Sequence, residues 1–215
     1  MAFRGWPAEA VEFYEGLEAD NSKQYWQQHK AVYERHVLAP MQELLAELAP
    51  EFGAGRIFRP YRDVRFSADK SPYKTQIAAT LERDGYVQFS ADGLGAGCGM
   101  YHLAADQLDR YRRCVADDAT GTDLVRRLEP LREAGVEIAA HDRLKSAPRG
   151  YAKDHPRIDL LRLKGLIAWR QWPPEAAAGQ EQPSSLVAAF FRACAPLQDW
   201  LDGHVGESQL EARRR

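Results

Sequence analysis

The sequence predicts an α+β fold: a single domain with a mainly antiparallel sheet, a meander, packed by an N-terminal helical hairpin and by later helices. Three observations lead there. Apolar residues recur at helical spacing over the first fifty positions. From Arg56 to His102 the pattern changes to β-branched and aromatic residues broken by turn signals. Helical periodicity then returns from about residue 104.

Pro7 with Glu9 suits a helix start, because proline tolerates the first turn and acids favour that end of the helix dipole. Val11, Phe13, Tyr14 and Leu17 give this helix one apolar face. Asn21 and Ser22 interrupt it and offer caps for a longer second helix, whose stripe runs from Trp26 through Tyr33, Val37 and Leu44 to Leu48. Pro40 removes a backbone donor there and should kink or split it. Strands follow near 56–66, 75–82, 86–91 and 94–102. Asp84-Gly85 marks a tight hairpin, because such turns need positive φ, and sequential hairpins imply an antiparallel sheet. Helices are expected at 104–116 and 121–133, the latter closed by Gly135, and a short strand at 136–140. A short helix should open at Pro156 with Asp154 as its cap. A last strand near 166–169 and a final helix over 184–202 complete the domain, which spans 1–206. Residues 174–183 read as a loop with a tendency to disorder, and 207–215 as a disordered tail.

A chain of 215 residues, 45% apolar and 28% charged, is ordinary for a globular protein. A net charge of −2 argues against nucleic-acid binding through bulk charge. Cys98, Cys114 and Cys194 are odd in number and lack metal-type spacing, so they read as buried free thiols in a reducing compartment. Residues 1–6 carry no apolar leader segment and no stretch approaches membrane-spanning length. The expected location is cytoplasmic, without a membrane partner.

The small net charge hides segregation. Residues 59–74 hold five cations against two carboxylates, and residues 143–164 hold seven against two. Two basic islands on an acidic chain would attract an anion if they fold together. In the first, a strand over 61–66 would put Arg62 beside Val64 and Phe66, where a guanidinium needs a bidentate carboxylate or phosphate partner. Ser67, Ser71 and Thr75 add hydroxyls. The plain alternative is that Asp63 and Asp69 pair with the arginines and fix the loop. The second island ends at a helix start, where free N–H groups favour an anion. His155 there serves as an acid/base or simply bonds Asp154 or a helix N–H.

The candidate ligand-binding residues are therefore Arg62, Arg65, Lys70, Lys74, Lys145, Arg149 and Lys153, with His155 and Asp63 as the candidate proton-transfer groups. No metal site is expected, since His29, His36, His102, His141 and His204 share no ligand spacing with cysteines or acids. No cofactor is expected either. Ser67-x-x-Lys70 and Ser71-x-x-Lys74 match the spacing of penicillin-recognising serine enzymes, but the S-D-N element is absent and Lys74-Thr75 continues to Gln76 rather than glycine. Glycines at 93, 95, 97 and 99 fall at period two, which is no nucleotide loop; they bare one strand face for close packing against an aromatic or a helix.

Residues 62–75 (RDVRFSADKSPYKT), 147–156 (APRGYAKDHP) and 160–164 (LLRLK), with 21–26 (NSKQYW) and 195–197 (APL), resemble the conserved hypothetical family known as domain of unknown function 2461. The resemblance covers roughly residues 10–203. Ala68 and Gln76 stand where the resemblance leads one to expect a lysine-like residue and a histidine- or asparagine-like one, which speaks against proton chemistry at Gln76. No reaction, cofactor or partner comes with it.

Three functional expectations follow. The first is a site for a phosphate-containing small anion, in a binding protein or an enzyme. The second is a protein-interaction module using the helical hairpin or an exposed patch around Tyr25, Trp26 and Tyr33. The third is single-stranded nucleic acid stacked on Tyr61, Phe66, Tyr73 and Tyr86, which the net charge disfavours.

Overall fold

The computed structural model describes residues 3–65, 68–83, 85–174 and 182–210. Helix α1 spans Ala8–Ala19. Helix α2, Lys23–Val32, is capped by the Ser22 hydroxyl, which accepts from the Tyr25 N–H. A π-helical turn, Tyr33–Leu38, joins α2 to α3, Ala39–Phe52. That turn is where the expected effect of Pro40 appears. Proline cannot donate to the turn before it, and the Ala39 N–H reaches back five residues to the Glu34 carbonyl. The helix changes register there without breaking.

Strands β1 (Gly55–Ile57), β2 (Gln76–Leu81), β3 (Gly85–Ser90) and β4 (Gly93–Met100) follow, then α4 (Ala105–Ala116), α5 (Asp118–Glu133) and β5 (Glu137–Ala139). The four-residue α6 (Ile158–Leu161), β6 (Leu166–Trp172) and α7 (Pro183–His204) complete the order. The six strands form one antiparallel sheet in the order β1-β2-β3-β4-β6-β5, with the first four in chain order, so the fold is α+β as expected. Asp84, expected in the β2–β3 turn, lies outside the described residues, as do most of the expected 174–183 loop and residues 211–215.

Chain contacts divide into two compact units: Met1–Ala96 with Gln171–Phe190, and Gly97–Arg170 with Phe191–Arg215. In the first, β2 and β3 pair with Ile77 opposite Phe89 and Ala79 opposite Val87. Alternation puts these residues on one face, and all four are almost fully buried. Trp6 stacks on Phe89 at 4.3 Å. Ile77, Val87 and Phe89 each contribute roughly 1.5–3 kcal/mol on burial. The opposite face carries Gln76, Thr80, Tyr86 and Gln88, which are half-buried. Gly93 (φ +99°) lies so close to the neighbouring strand that a Cβ would sit 2.3 Å from the Trp172 carbonyl oxygen.

In the second unit Asp117 caps α5 by accepting from the N–H groups of Ala119 and Thr120. The glycine-rich strand packs on an aromatic: a Cβ at Gly97 would lie 3.1 Å from the Trp169 ring. Arg157 closes the C-terminal end of α4. Its guanidinium donates to the carbonyls of Val115 (2.6 Å) and Ala116 (2.9 Å) and to the Asp118 carboxylate (2.8 Å). These carbonyls are the orphan acceptors every helix leaves at that end, and a cation there also meets the negative end of the dipole. Gly121 admits the side chain, since a Cβ would stand 2.5 Å from Arg157 Nε. Asp106 and Arg110 bind residues 207–209: Arg110 donates to the Glu207 carbonyl, and Asp106 accepts from the Ser208 hydroxyl and the Gln209 N–H.

Two expectations are corrected. The strand expected over 56–66 ends at Ile57. Pro60 lacks a ladder donor, and Asp63 folds back to accept from the Arg65 N–H, which turns the chain. Asp154 does not cap α6: the residue before the helix is Arg157, and no side chain caps it. Arg157→Ala is expected to destabilise the protein by about 2–4 kcal/mol in urea unfolding, with Arg157→Lys restoring little, because one ammonium cannot serve all these acceptors.

Candidate functional site

The first basic island is a loop closed by a short ladder. Tyr61 bridges Tyr73, with Arg62 N–H donating to the Pro72 carbonyl (2.9 Å) and Lys74 N–H to that of Pro60 (2.8 Å). The ladder continues β1 and β2, where Ile57 faces Ala79. Between these two pairings the β1 side advances four residues and the β2 side six. Since Lys74 still pairs with Pro60 and Phe58 with Ala78, the surplus falls within Thr75–Ile77 opposite Arg59, an irregularity of the kind that re-aims side chains.

Asn21, just before α2, holds this ladder from outside. Its amide accepts from the Tyr73 N–H (3.0 Å) and donates to the Tyr73 carbonyl (3.1 Å), pairing as another strand would. Trp26, one turn into α2, stacks on the Tyr73 ring at 4.4 Å and 7°. Tyr33 and Phe13 pack against Trp26 in turn. Trp26, Tyr33 and Tyr73 are buried, which corrects the expectation of an exposed patch around Tyr25, Trp26 and Tyr33 and removes Tyr73 as a stacking platform. Burial, then the neighbouring Glu34 and Tyr61, push the Tyr33 hydroxyl up to about 12. Tyr61 is half exposed, and Phe66 and Ser67 lie outside the described residues.

Inside the loop the charges neutralise one another. Arg62 does not sit on an apolar face but pairs with Asp69, whose carboxylate also accepts from the Ser71 N–H (2.9 Å). Ser71 and Arg62 together hold Asp69 far below the usual carboxylate range. Arg65 grips Asp63 with two parallel bonds of 2.9 and 2.6 Å. These bonds to Arg65 hold Asp63 down at about 2, so it is a poor proton acceptor near neutrality. Lys70 donates to the Val64 carbonyl (3.0 Å).

Lys74 is different. It is half-buried, its ammonium lies 5.4 Å from the centre of the Phe58 ring, and among the described residues it has no carboxylate partner. Burial, and then the Arg59 charge, push it below the ordinary lysine range. Phe58 donates its N–H to the Ala78 carbonyl, which sets its ring on the polar sheet face. There Gln76 Nε2 donates to Gln88 Oε1 (2.9 Å), and the Tyr86 hydroxyl donates to the same oxygen (2.9 Å). Of the candidate residues, Lys74 is the one whose charge lies over the Phe58 ring. Phe58, Arg59, Gln76 and Gln88 were not singled out as ligand groups; the bulge that gathers them is a pairing offset with no residue signature.

The second island belongs to the second unit. Arg143 pairs with Asp159 (3.1 Å) and Lys164 with Asp142 (2.5 Å), while Arg162 donates to the carbonyls of Leu144 and Lys145. Lys145, Arg149 and Lys153 are exposed and without ion pairs among the described residues. His155 Nδ1 accepts from the Arg157 N–H (3.0 Å), so its proton resides on Nε2. The expected anion-binding helix start is absent, since α6 has a single turn and the Ile158 N–H is taken by the His155 carbonyl.

The residues that build both islands lie within one matched segment, 9–200, of a protein-family model described as a conserved hypothetical protein, DUF2461. The chain belongs to this family. No curated protein and no solved structure matches it.

Two outcomes follow. Carboxyl NMR of this DUF2461 protein should show Asp63 titrating near 2 rather than near 4. Because the folded pKa is the lower one, the stability this group contributes is complete above the unfolded value and is lost as pH falls towards 2. Asn21→Ala should cost about 1–3 kcal/mol in urea unfolding, since it strands two partly buried backbone groups.

Proposed function

We propose that the protein binds a small phosphate-bearing anion on the polar sheet face of its first unit, with Lys74 as the main charge, Arg59 beside it, and Gln76 and Tyr86 as nearby polar groups. One observation carries this reading. Lys74 is partly withdrawn from water with no carboxylate partner among the described residues, whereas Arg62, Arg65 and Lys70 are engaged within their own loop. A desolvated, uncompensated cation costs free energy that an incoming anion recovers. Arg62 and Arg65 then shape the loop rather than touch the ligand. The proposal includes no catalytic step, because Asp63 is committed to Arg65 and His155 Nδ1 to a backbone N–H. A cytoplasmic setting is part of it, supported by three free thiols and by the lack, among the described residues, of any helix long and apolar enough to cross a membrane.

The test is thermal unfolding with phosphate, pyrophosphate, nucleotides and sugar phosphates. A ligand at a hundredfold its dissociation constant adds about 2.7 kcal/mol, which raises the midpoint of a chain this long by roughly 5–10 °C. A saturable shift is expected in the parent protein and in Lys145→Ala, and its loss in Lys74→Ala. No shift with any anion, or one that survives Lys74→Ala, would overturn the proposal.

A further inference from the structure

Two histidines thirty-nine residues apart meet in the second unit. β4 ends at Met100 and is followed by Tyr101 and His102; β5 ends at Ala139 and is followed closely by His141. His102 Nδ1 and His141 Nε2 lie 3.2 Å apart, and both residues are exposed. The far side of His141 is fixed: its Nδ1 bonds the Tyr101 carbonyl at 2.6 Å. A carbonyl only accepts, so Nδ1 carries the proton and Nε2 presents a lone pair towards His102. Neighbouring contacts hold the two turns. The Leu103 N–H donates to the Lys164 carbonyl, and Lys164 pairs with Asp142. Gly165 allows the approach of β6, since a Cβ there would lie 2.4 Å from the same Tyr101 carbonyl.

We propose that His102 and His141 form a binding site for a first-row divalent cation of the imidazole-preferring kind, Zn²⁺, Cu²⁺ or Ni²⁺. With metal–nitrogen bonds of about 2.0–2.1 Å, the 3.2 Å separation corresponds to an N–metal–N angle of roughly 100°, which suits two ligands on one edge of a tetrahedral or tetragonal ion. The Tyr101 carbonyl plays the part that an outer-sphere acceptor plays at metal histidines: it fixes the tautomer and raises the basicity of the ligating nitrogen. In the metal-free protein a proton bridges the two rings. Binding requires His102 to carry its proton on Nε2 instead, which frees Nδ1. Among the described residues no third histidine, cysteine or acid completes the set, so the remaining positions fall to water or to an exogenous ligand. The site is independent of the anion proposal, which concerns the first unit.

The test titrates the tag-free full-length protein with Cu²⁺ and reads electron paramagnetic resonance. One equivalent is expected to bind with hyperfine structure from two imidazole nitrogens. His102→Gln and His141→Gln should each weaken binding by roughly tenfold or more, while His36→Gln should leave it unchanged. His102→Gln keeps a hydrogen-bonding partner for His141, and an unaltered unfolding midpoint would show that the fold survives. No bound copper at micromolar protein, a signal from a single nitrogen, or unchanged binding in the double variant would overturn the proposal.

Discussion

The amide of Asn21 is the contact on which the architecture of the first unit turns. It meets the backbone of Tyr73 as a strand would, with one bond accepted and one donated, although it belongs to the start of a helix. Trp26 covers the same residue from above, so Tyr73 is fixed through both its backbone and its ring. With Tyr73 fixed and β2 held in register by β3, the two surplus residues are forced into Thr75–Ile77, immediately after Lys74. The position of the Lys74 ammonium over Phe58 is a consequence of that geometry. Helix capping, aromatic packing and strand register thus converge on one cation.

The charge pattern is decided by local pairing rather than by composition. Most cations of the two islands are engaged by the protein itself: Arg65 by the carboxylate two residues away, Arg62 by Asp69 across its loop, and Arg157 by the end of a helix about forty residues earlier. The exposed pairs of Arg62 and Arg65 add little stability, but they remove charge from the pool able to meet a ligand. Among the described residues Lys74 is left without a carboxylate partner in the first unit, and Lys145, Arg149 and Lys153 carry exposed charge in the second.

The fold was largely legible because its signals are local. The apolar stripes of α1 to α3, the Ser22 cap, the hairpin at Gly85 and the Gly135 helix end each depend on residues within a few positions of one another. The strand expected over 56–66 failed for a local reason as well: Pro60 and the Asp63 turn outweigh a β-like composition. The site was legible only in part. Segregated charge pointed to Lys74, but an alternation argument misplaced Arg62. Aromatic content suggested an exposed patch where Trp26 and Tyr33 are packed away. The pairing of Asn21 with Tyr73 and of His102 with His141 spans fifty-two and thirty-nine residues, and no spacing rule reaches that far.

The central claim is that Lys74 carries an uncompensated charge awaiting an anion. Its most direct test is the titration of the Lys74 side chain by ¹⁵N-detected NMR, with and without pyrophosphate. Free protein should show Lys74 titrating below an ordinary lysine, through burial first and Arg59 second, and pyrophosphate should move it back upward. A Lys74 that titrates as an ordinary lysine, or that stays where it is when pyrophosphate is added, would contradict the account.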